Sequence, residues 1–264
     1  MRLAVLSDIH GNLTALEAAL ADLAAAGGAD RTWVLGDLAA FGPRPTECVR
    51  CIQALVAAAD ADDATKGSVC VISGNTDRYL VRGERPRQPV IEKADDYAAF
   101  IAQMKAADAG LRWGLEQLSF TDYEFLVKLG DECGLDADSY GYVIGYHGVP
   151  GDDEGVLSPD STEEEAADAL LDREGRLGIG GHIHRQMDRQ LVISAWRALN
   201  VGSIGLSVDQ PGKAQWGLLT FADGDVQVDL RAVPYDVEAV IADLTAVGYP
   251  AVEWTASRLR HGQG

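Results

Sequence analysis

Five short clusters of carboxylate, amide and imidazole residues punctuate the chain: Asp8-Ile9-His10, Gly36-Asp37, Gly74-Asn75-Thr76-Asp77, His147-Gly148 and Gly181-His182-Ile183-His184. Their chemistry is that of a dinuclear metal site. Asp8 and His10, two apart on an extended segment, can point into one ion, and His184 can complete it. Asp37 offers two oxygens, enough to bridge to a second ion that Asn75, His147 and His182 can hold. Mixed oxygen and imidazole ligation with open positions suits Mn²⁺, Fe, Ni²⁺ or Zn²⁺ better than a calcium cage. Two such ions roughly 3.5–4 Å apart generate a hydroxide nucleophile and neutralise equatorial phosphate oxygens, which is the chemistry of phosphate-ester hydrolysis. Taken singly, each cluster has a plainer reading. An Asp-x-His is commonly a loop or cap, and a Gly-Asn-x-Asp a turn. Of the 5 histidines, however, only His261 lacks a neighbouring glycine-rich strand end.

The elements that must position these residues alternate. Leu3 to Leu6 is a continuous apolar run, the pattern of a strand buried on both faces. Leu13, Leu16, Leu20 and Leu23 then mark one helical face, with Asn12 as its N-cap and Gly27-Gly28 as its end. Thr32 to Leu35 is a second strand, Pro45 opens a helix to about Ala59, and Val69 to Ile72 is a third strand. This βαβαβ order predicts an α/β fold with parallel strands and right-handed crossovers. In open α/β sheets ligands gather outside the carboxyl ends of the strands, so the clusters should converge.

Further on, residues 84–130 read as a helical excursion, with Thr121 and Glu124 as a capping box near its end. Tyr140 to Tyr146 and Leu177 to Gly180 are strands, separated by a helix that Ser161-Thr162 opens. Leu191 to Ser194 and Trp216 to Phe221 read as parts of a second sheet, and Asn200 and Ser203 as a turn beside the site. Ala222-Asp223-Gly224-Asp225 predicts a hairpin to Val226–Leu230, and Asp236 caps a closing helix. One domain over residues 1–256 is expected, with 257–264 as a disordered tail.

Composition bounds the function. A net charge of −19, from 22 Lys+Arg against 41 Asp+Glu, argues against a large nucleic-acid footprint, which needs clustered cations. The same excess fits either adaptation to a salt-rich cytoplasm or a genome-wide compositional bias. No apolar run approaches the roughly 20 residues that span a bilayer, and none resembles a signal peptide, so a cytoplasmic protein is expected. Cys48-x-x-Cys51 lies within a helical pattern without a second pair, and the 4 cysteines read as buried thiols.

The whole series, with Gly42-Pro43 after Asp37 and Asn200-Val201-Gly202-Ser203 after the last cluster, resembles the calcineurin-like metallophosphoesterase superfamily. It is most similar to the compact bacterial and archaeal phosphodiesterase branch, over about residues 1–222. The resemblance implies a four-layer α-β-β-α sandwich, two mixed sheets flanked by helices, acting on a small phosphate ester. It implies two divalent ions, manganese first among them, with Asp8, His10, Asp37 and His184 at one. Asp37, Asn75, His147 and His182 would hold the other. One departure stands out: most of the superfamily carries a histidine where this chain has Thr76, and that histidine is held to protonate the leaving group. Thr76 with Asp77 behind it is the candidate replacement, and Asn12 and Arg78 are candidate substrate contacts. A related retromer scaffolding subunit keeps the fold but binds partners, so a scaffold is the competing reading. The 84–130 excursion either shapes substrate access or makes a contact between copies of the chain.

Overall fold

The computed structural model describes residues 1–88, 90–137, 139–170 and 173–262. The elements run β1 (Arg2–Leu6), α1 (Leu13–Ala25), β2 (Arg31–Val34), α2 (Pro45–Asp60), β3 (Val69–Val71), α3 (Asn75–Arg82), α4 (Ala94–Gln117) and α5 (Phe120–Val127). There follow β4 (Glu132–Ala137), β5 (Gly141–Tyr146), α6 (Glu163–Leu170), β6 (Leu177–Gly180), β7 (Gln186–Gln190), β8 (Arg197–Val201), β9 (Lys213–Ala222), β10 (Asp225–Pro234), α7 (Val237–Ala246) and α8 (Val252–His261).

Two five-stranded sheets stack face to face, in the orders β10-β9-β1-β2-β3 and β4-β5-β6-β8-β7. Side chains of successive strand residues point to opposite faces, and β1 shows what that alternation does. Leu3 and Val5 join Trp33, Val143, Leu177 and Leu199 in the core between the sheets. Ala4 and Leu6 pack outward on Leu16 of α1 and Ile52 of α2. On the far side Ile144 and Tyr146 meet Ala166 and Leu170 of α6. Helix, sheet, sheet and helix therefore form the four layers expected, in an α/β chain whose first three strands are parallel.

Several expectations need correction. The Trp216–Phe221 strand lies in the first sheet, not the second: β9 pairs antiparallel with β1, Leu3 opposite Leu219. The Asp223-Gly224 hairpin is as read, with both residues at positive φ. Leu191–Ser194 is a connection between β7 and β8 that Leu191 N–H closes on the Trp196 carbonyl at 2.9 Å, leaving Val192 and Ile193 exposed. Asn200 is not in a turn but in β8. The cap of α5 is Ser119 with Asp122, each side chain accepting the other's main-chain N–H, rather than Thr121 with Glu124.

The disordered tail is overturned as well. Residues 252–261 form α8, because Leu259 buries itself with Val240, Leu244 and Tyr249 and Thr255 Oγ1 donates to the Phe41 carbonyl. Residues 263–264 lie outside the described residues. Cys70 and Cys133 are not thiols but a disulfide, which staples edge strand β3 of one sheet to edge strand β4 of the other. That bond removes the support that free thiols lent to a reducing compartment. Cys48 and Cys51 are free and sit in α2. Among the described residues no helix is long and apolar enough to cross a membrane.

Candidate metal centre

Three of the five clusters leave the end of a strand on a tight, left-handed piece of backbone. Asp8, His10, Asp37, His182 and His184 all have φ between 52° and 67°, a region that non-glycine residues seldom occupy. The cost is of order 1–2 kcal/mol per residue, and it persists only where surroundings over-determine the conformation. Here they do. Asp8 N–H donates to Gly36 O, and His10 N–H to Asp37 O, locking the first two clusters together. Ser203 Oγ donates to Asp8 O, Gly205 N–H donates to the same carbonyl, and Asn200 Nδ2 donates to Gly181 O.

Two glycines let the loops close on the carboxylates. A Cβ on Gly74 would lie 2.2 Å from Asp37 Oδ1, and one on Gly181 would lie 2.5 Å from Asp8 Oδ2. Neither position tolerates a side chain without moving a carboxylate.

The donor atoms then converge. His10 Nδ1 donates to Ala40 O, His184 Nδ1 to Leu206 O and His147 Nδ1 to Leu35 O. Because a carbonyl only accepts, all three rings carry a proton on Nδ1 and turn Nε2 inward. His10 Nε2 and His184 Nε2 are 3.0 Å apart, and Asp8 Oδ1 lies 3.1 Å from the latter. Asp37 Oδ2 sits midway, 3.6 Å from His10 Nε2 and 3.5 Å from His147 Nε2, while its Oδ1 accepts the Thr76 N–H at 2.8 Å. Asn75 Oδ1 stands 3.0 Å from His147 Nε2 and 3.1 Å from His182 Nδ1.

Electrostatics agree with a cation. Asp8, His10, Asp37 and His147 are all buried, and Asp8 Oδ1 has no hydrogen-bond donor among the described residues. A buried carboxylate oxygen without a donor costs free energy unless a positive charge meets it. Burial would raise the Asp8 carboxyl, but the His184 ring beside it holds it down at about 2. Burial would likewise discharge His147, yet the Asp37 carboxylate pushes it up to about 10. Lone pairs facing one another across 3.0 Å need a proton or a cation between them. Asp8, His10 and His184 form one group able to hold an ion, and Asp8, Asp37 and His147 another. The donor set fits a divalent metal.

The remaining candidates have other partners. Asn12 Oδ1 caps α1 at Ala15 N–H and its Nδ2 donates to Gly205 O, so the side chain is spent on structure. The Arg78 guanidinium is clasped by Asp153, Glu154 and Glu84. Asp77 accepts from Leu38 N–H and Gly74 N–H and braces the second cluster against the third. Burial, then the nearby Asp37, raises its carboxyl to about 7. Thr76 lines the cleft over the ligands, and its Oγ1 is buried with no partner among the described residues. Sequence reasoning missed Phe41, Trp254 and Arg258, which line the same cleft. The signal at Phe41 is a left-handed φ of 81°, and a sequence does not display it.

A family model for the calcineurin-like phosphoesterases matches residues 1–186. A metallophosphoesterase from Sphaerobacter thermophilus is similar in structure at a TM-score of 0.71 and 23% identity, covering 98% of each chain. The hypothetical protein PH1004 from Pyrococcus horikoshii OT3 superposes at a TM-score of 0.76 and 23% identity, covering 99% of this chain and 98% of that one. No curated protein matches the sequence.

Proposed function

The chain belongs to the calcineurin-like phosphoesterase family, and from that premise we propose that it hydrolyses phosphodiesters at a site for two divalent metal ions. The observation that carries this reading is the placement of Asp37 Oδ2 between His10 and His147, at 3.6 and 3.5 Å. One group would be held by Asp8, His10, Asp37 and His184, the other by Asp37, Asn75, His147 and His182. Manganese is the first choice, and iron, nickel and zinc suit the same donors. When bound, such ions make water a strong nucleophile near neutral pH and neutralise phosphate oxygens.

The chain's own residues do the rest. Asp37 is kept in place by the Thr76 N–H, so its other oxygen stays at the centre of the site. The Thr76 hydroxyl, buried beside the cleft with no partner among the described residues, is the candidate donor to a phosphate oxygen of the bound ester. Water attacks phosphorus in line, a P–O bond forms, and the bond to the leaving oxygen breaks. That oxygen departs as an anion or takes its proton from solvent, since Asp77 is committed to two main-chain N–H groups. Diesters are preferred on the motif resemblance, and monoesters fit the same chemistry. A partner-binding scaffold has no use for so complete a set of inward-facing ligands.

The test is a hydrolysis screen over mono- and diesters with Mn²⁺, Ni²⁺, Zn²⁺ and Mg²⁺, before and after chelation. Turnover lost on chelation and restored by a divalent ion is the expected result. Hydrolysis that survives with no metal bound would overturn the reading.

A further inference from the structure

The cleft does not end at the ligands. Beside a space of about 250 Å³ over His10, Asp37, Thr76 and His184 lies a second cavity of about 430 Å³ between α4 and α8. Phe41, Asn75, Thr76, Trp254 and Arg258 line both. We propose that this second cavity binds the organic group of the ester, and that this group carries a planar ring with a polar edge, as a nucleobase does. The inference rests on the phosphoesterase reading for its phosphate and extends it to a substrate class.

An aromatic series leads from the metal ligands into the cavity. The Phe41 ring lies 5.6 Å from that of His10 and 5.2 Å from that of Trp254, centroid to centroid. The Arg258 guanidinium lies 3.9 Å over the Trp254 ring. Phe41 holds this position at a φ of 81°, a conformation strained for any bulky side chain. Strain of that kind is kept where the placement of the ring is what matters. Behind Trp254 the apolar wall is Phe100, Met104 and Leu111 of α4, and the polar wall is the amide of Gln103 with the Arg85–Asp108 ion pair.

This composition selects among esters. A cavity of several hundred Å³ with apolar walls and a few polar groups is typical of small-ligand sites. Aromatic walls and an arginine plane reward a flat π-system beyond simple burial. The Gln103 amide offers a donor and an acceptor that a nucleobase edge can meet and an alkyl chain cannot. Arg258 lines both cavities and brings a cation to the wall they share, in a chain that is strongly acidic overall.

The experiment measures binding to the metal-loaded protein by calorimetry. The probes are three phosphonates that resist hydrolysis: the methylene phosphonate of adenosine, the same compound without its base, and pentyl phosphonate. The base-bearing compound is expected to bind at least about tenfold tighter than either of the others, the scale of one base–aromatic stack. Trp254→Leu should bring that ratio close to one while metal content and affinity for the base-free compound hold. Phe100→Ala, on the more open α4 wall, should lower the ratio in the same direction and does not depend on α8 folding around a changed residue. Equal affinities, a ratio unchanged in both variants, or no binding of any probe would overturn the proposal. Base preference without hydrolysis of any ester would leave the subsite standing and remove the phosphoesterase reading. Hydrolysis without base preference would do the reverse.

Discussion

His10 and His184 face each other through Nε2 atoms 3.0 Å apart, each ring fixed by a main-chain carbonyl on its far nitrogen. An arrangement so costly without a charge between the rings is a measure of what the site is built to hold. Fully loaded protein should carry close to two transition ions per chain by elemental analysis. His10→Ala or His184→Ala should lower that by about one, and Asp37→Asn should lower it furthest, because its carboxylate lies between both groups. Unchanged metal content in all three variants would dissociate these residues from the metal.

Left-handed backbone at the ligands predicts a stability trade. In metal-free protein His184→Gly should be more stable than His184→Ala by about 1 kcal/mol, since only glycine occupies that conformation without a steric penalty. Asp37→Gly against Asp37→Ala should behave alike. Denaturant unfolding with chelator present reads the difference, and an alanine variant equal to or above its glycine counterpart would contradict it.

Thr76 predicts a dependence on the leaving group. General acids contribute about 10²–10⁴-fold, and a threonine hydroxyl is a poor one. Esters of acidic phenols should therefore be cut far faster than alkyl esters, with rates falling steeply as leaving-group pKa rises. Thr76→His should flatten that slope by helping poor leaving groups selectively. A wild-type slope already flat, with chemistry rate-limiting, would mean that another proton donor serves.

On the far side of the molecule, Asp22 of α1 accepts from Arg231 Nε and Nη2 and from Trp216 Nε1, fastening the helix to the β9–β10 hairpin. The Arg231 hydrogen bonds hold its carboxyl below the ordinary aspartate value. The stabilisation from this group is then fully present above about pH 4, the unfolded value, and is lost as pH falls through the lower folded one. Asp22→Asn should cost about 1 kcal/mol at neutral pH, a partly exposed pair being worth no more. The gap from wild type should close in strong acid. A gap that is constant from pH 7 to pH 2 would assign the effect to packing.

The net charge of −19 allows a separate test. If the acidic surface is an adaptation to salt, screening of its self-repulsion should raise the melting temperature steeply with KCl up to molar levels. A flat curve would return the composition to genome bias.

The parts of this site that were legible in the sequence are those fixed locally. A short apolar run ending in Asp8-x-His10 or Gly181-His182-x-His184 carries its own strand, its turn and its ligands. Sheet membership of β9 was not legible, because its alternation is satisfied equally against any apolar face, and its partner β1 lies some two hundred residues away. The Cys70–Cys133 bond joins different sheets across 63 residues, with no spacing to announce it. Residues 257–261 were expected in a disordered tail, yet they complete α8, where Leu259 and the nearby Thr255 bury against surfaces that exist only in the folded chain. Arg78 looked like a phosphate ligand until its carboxylate partners, 75 and 76 residues on, came into view.

The pairing of β1 with β9 also sets an order of events during synthesis. β1, which leads into Asp8 and His10, is made some two hundred residues before β9, and one of its edges waits for residues 213–222. At ordinary elongation rates of 5–20 residues per second the wait is roughly 10–40 s. Throughout it an apolar strand offers unpaired N–H and C=O groups to any neighbour. His147, His182 and His184 are made within that interval, and the α8 wall of the cleft only after it. Closure of the cleft is therefore a late step of biogenesis. A chain interrupted before β9 would carry all its candidate ligands together with a sheet that has one open edge, the kind of intermediate that aggregates.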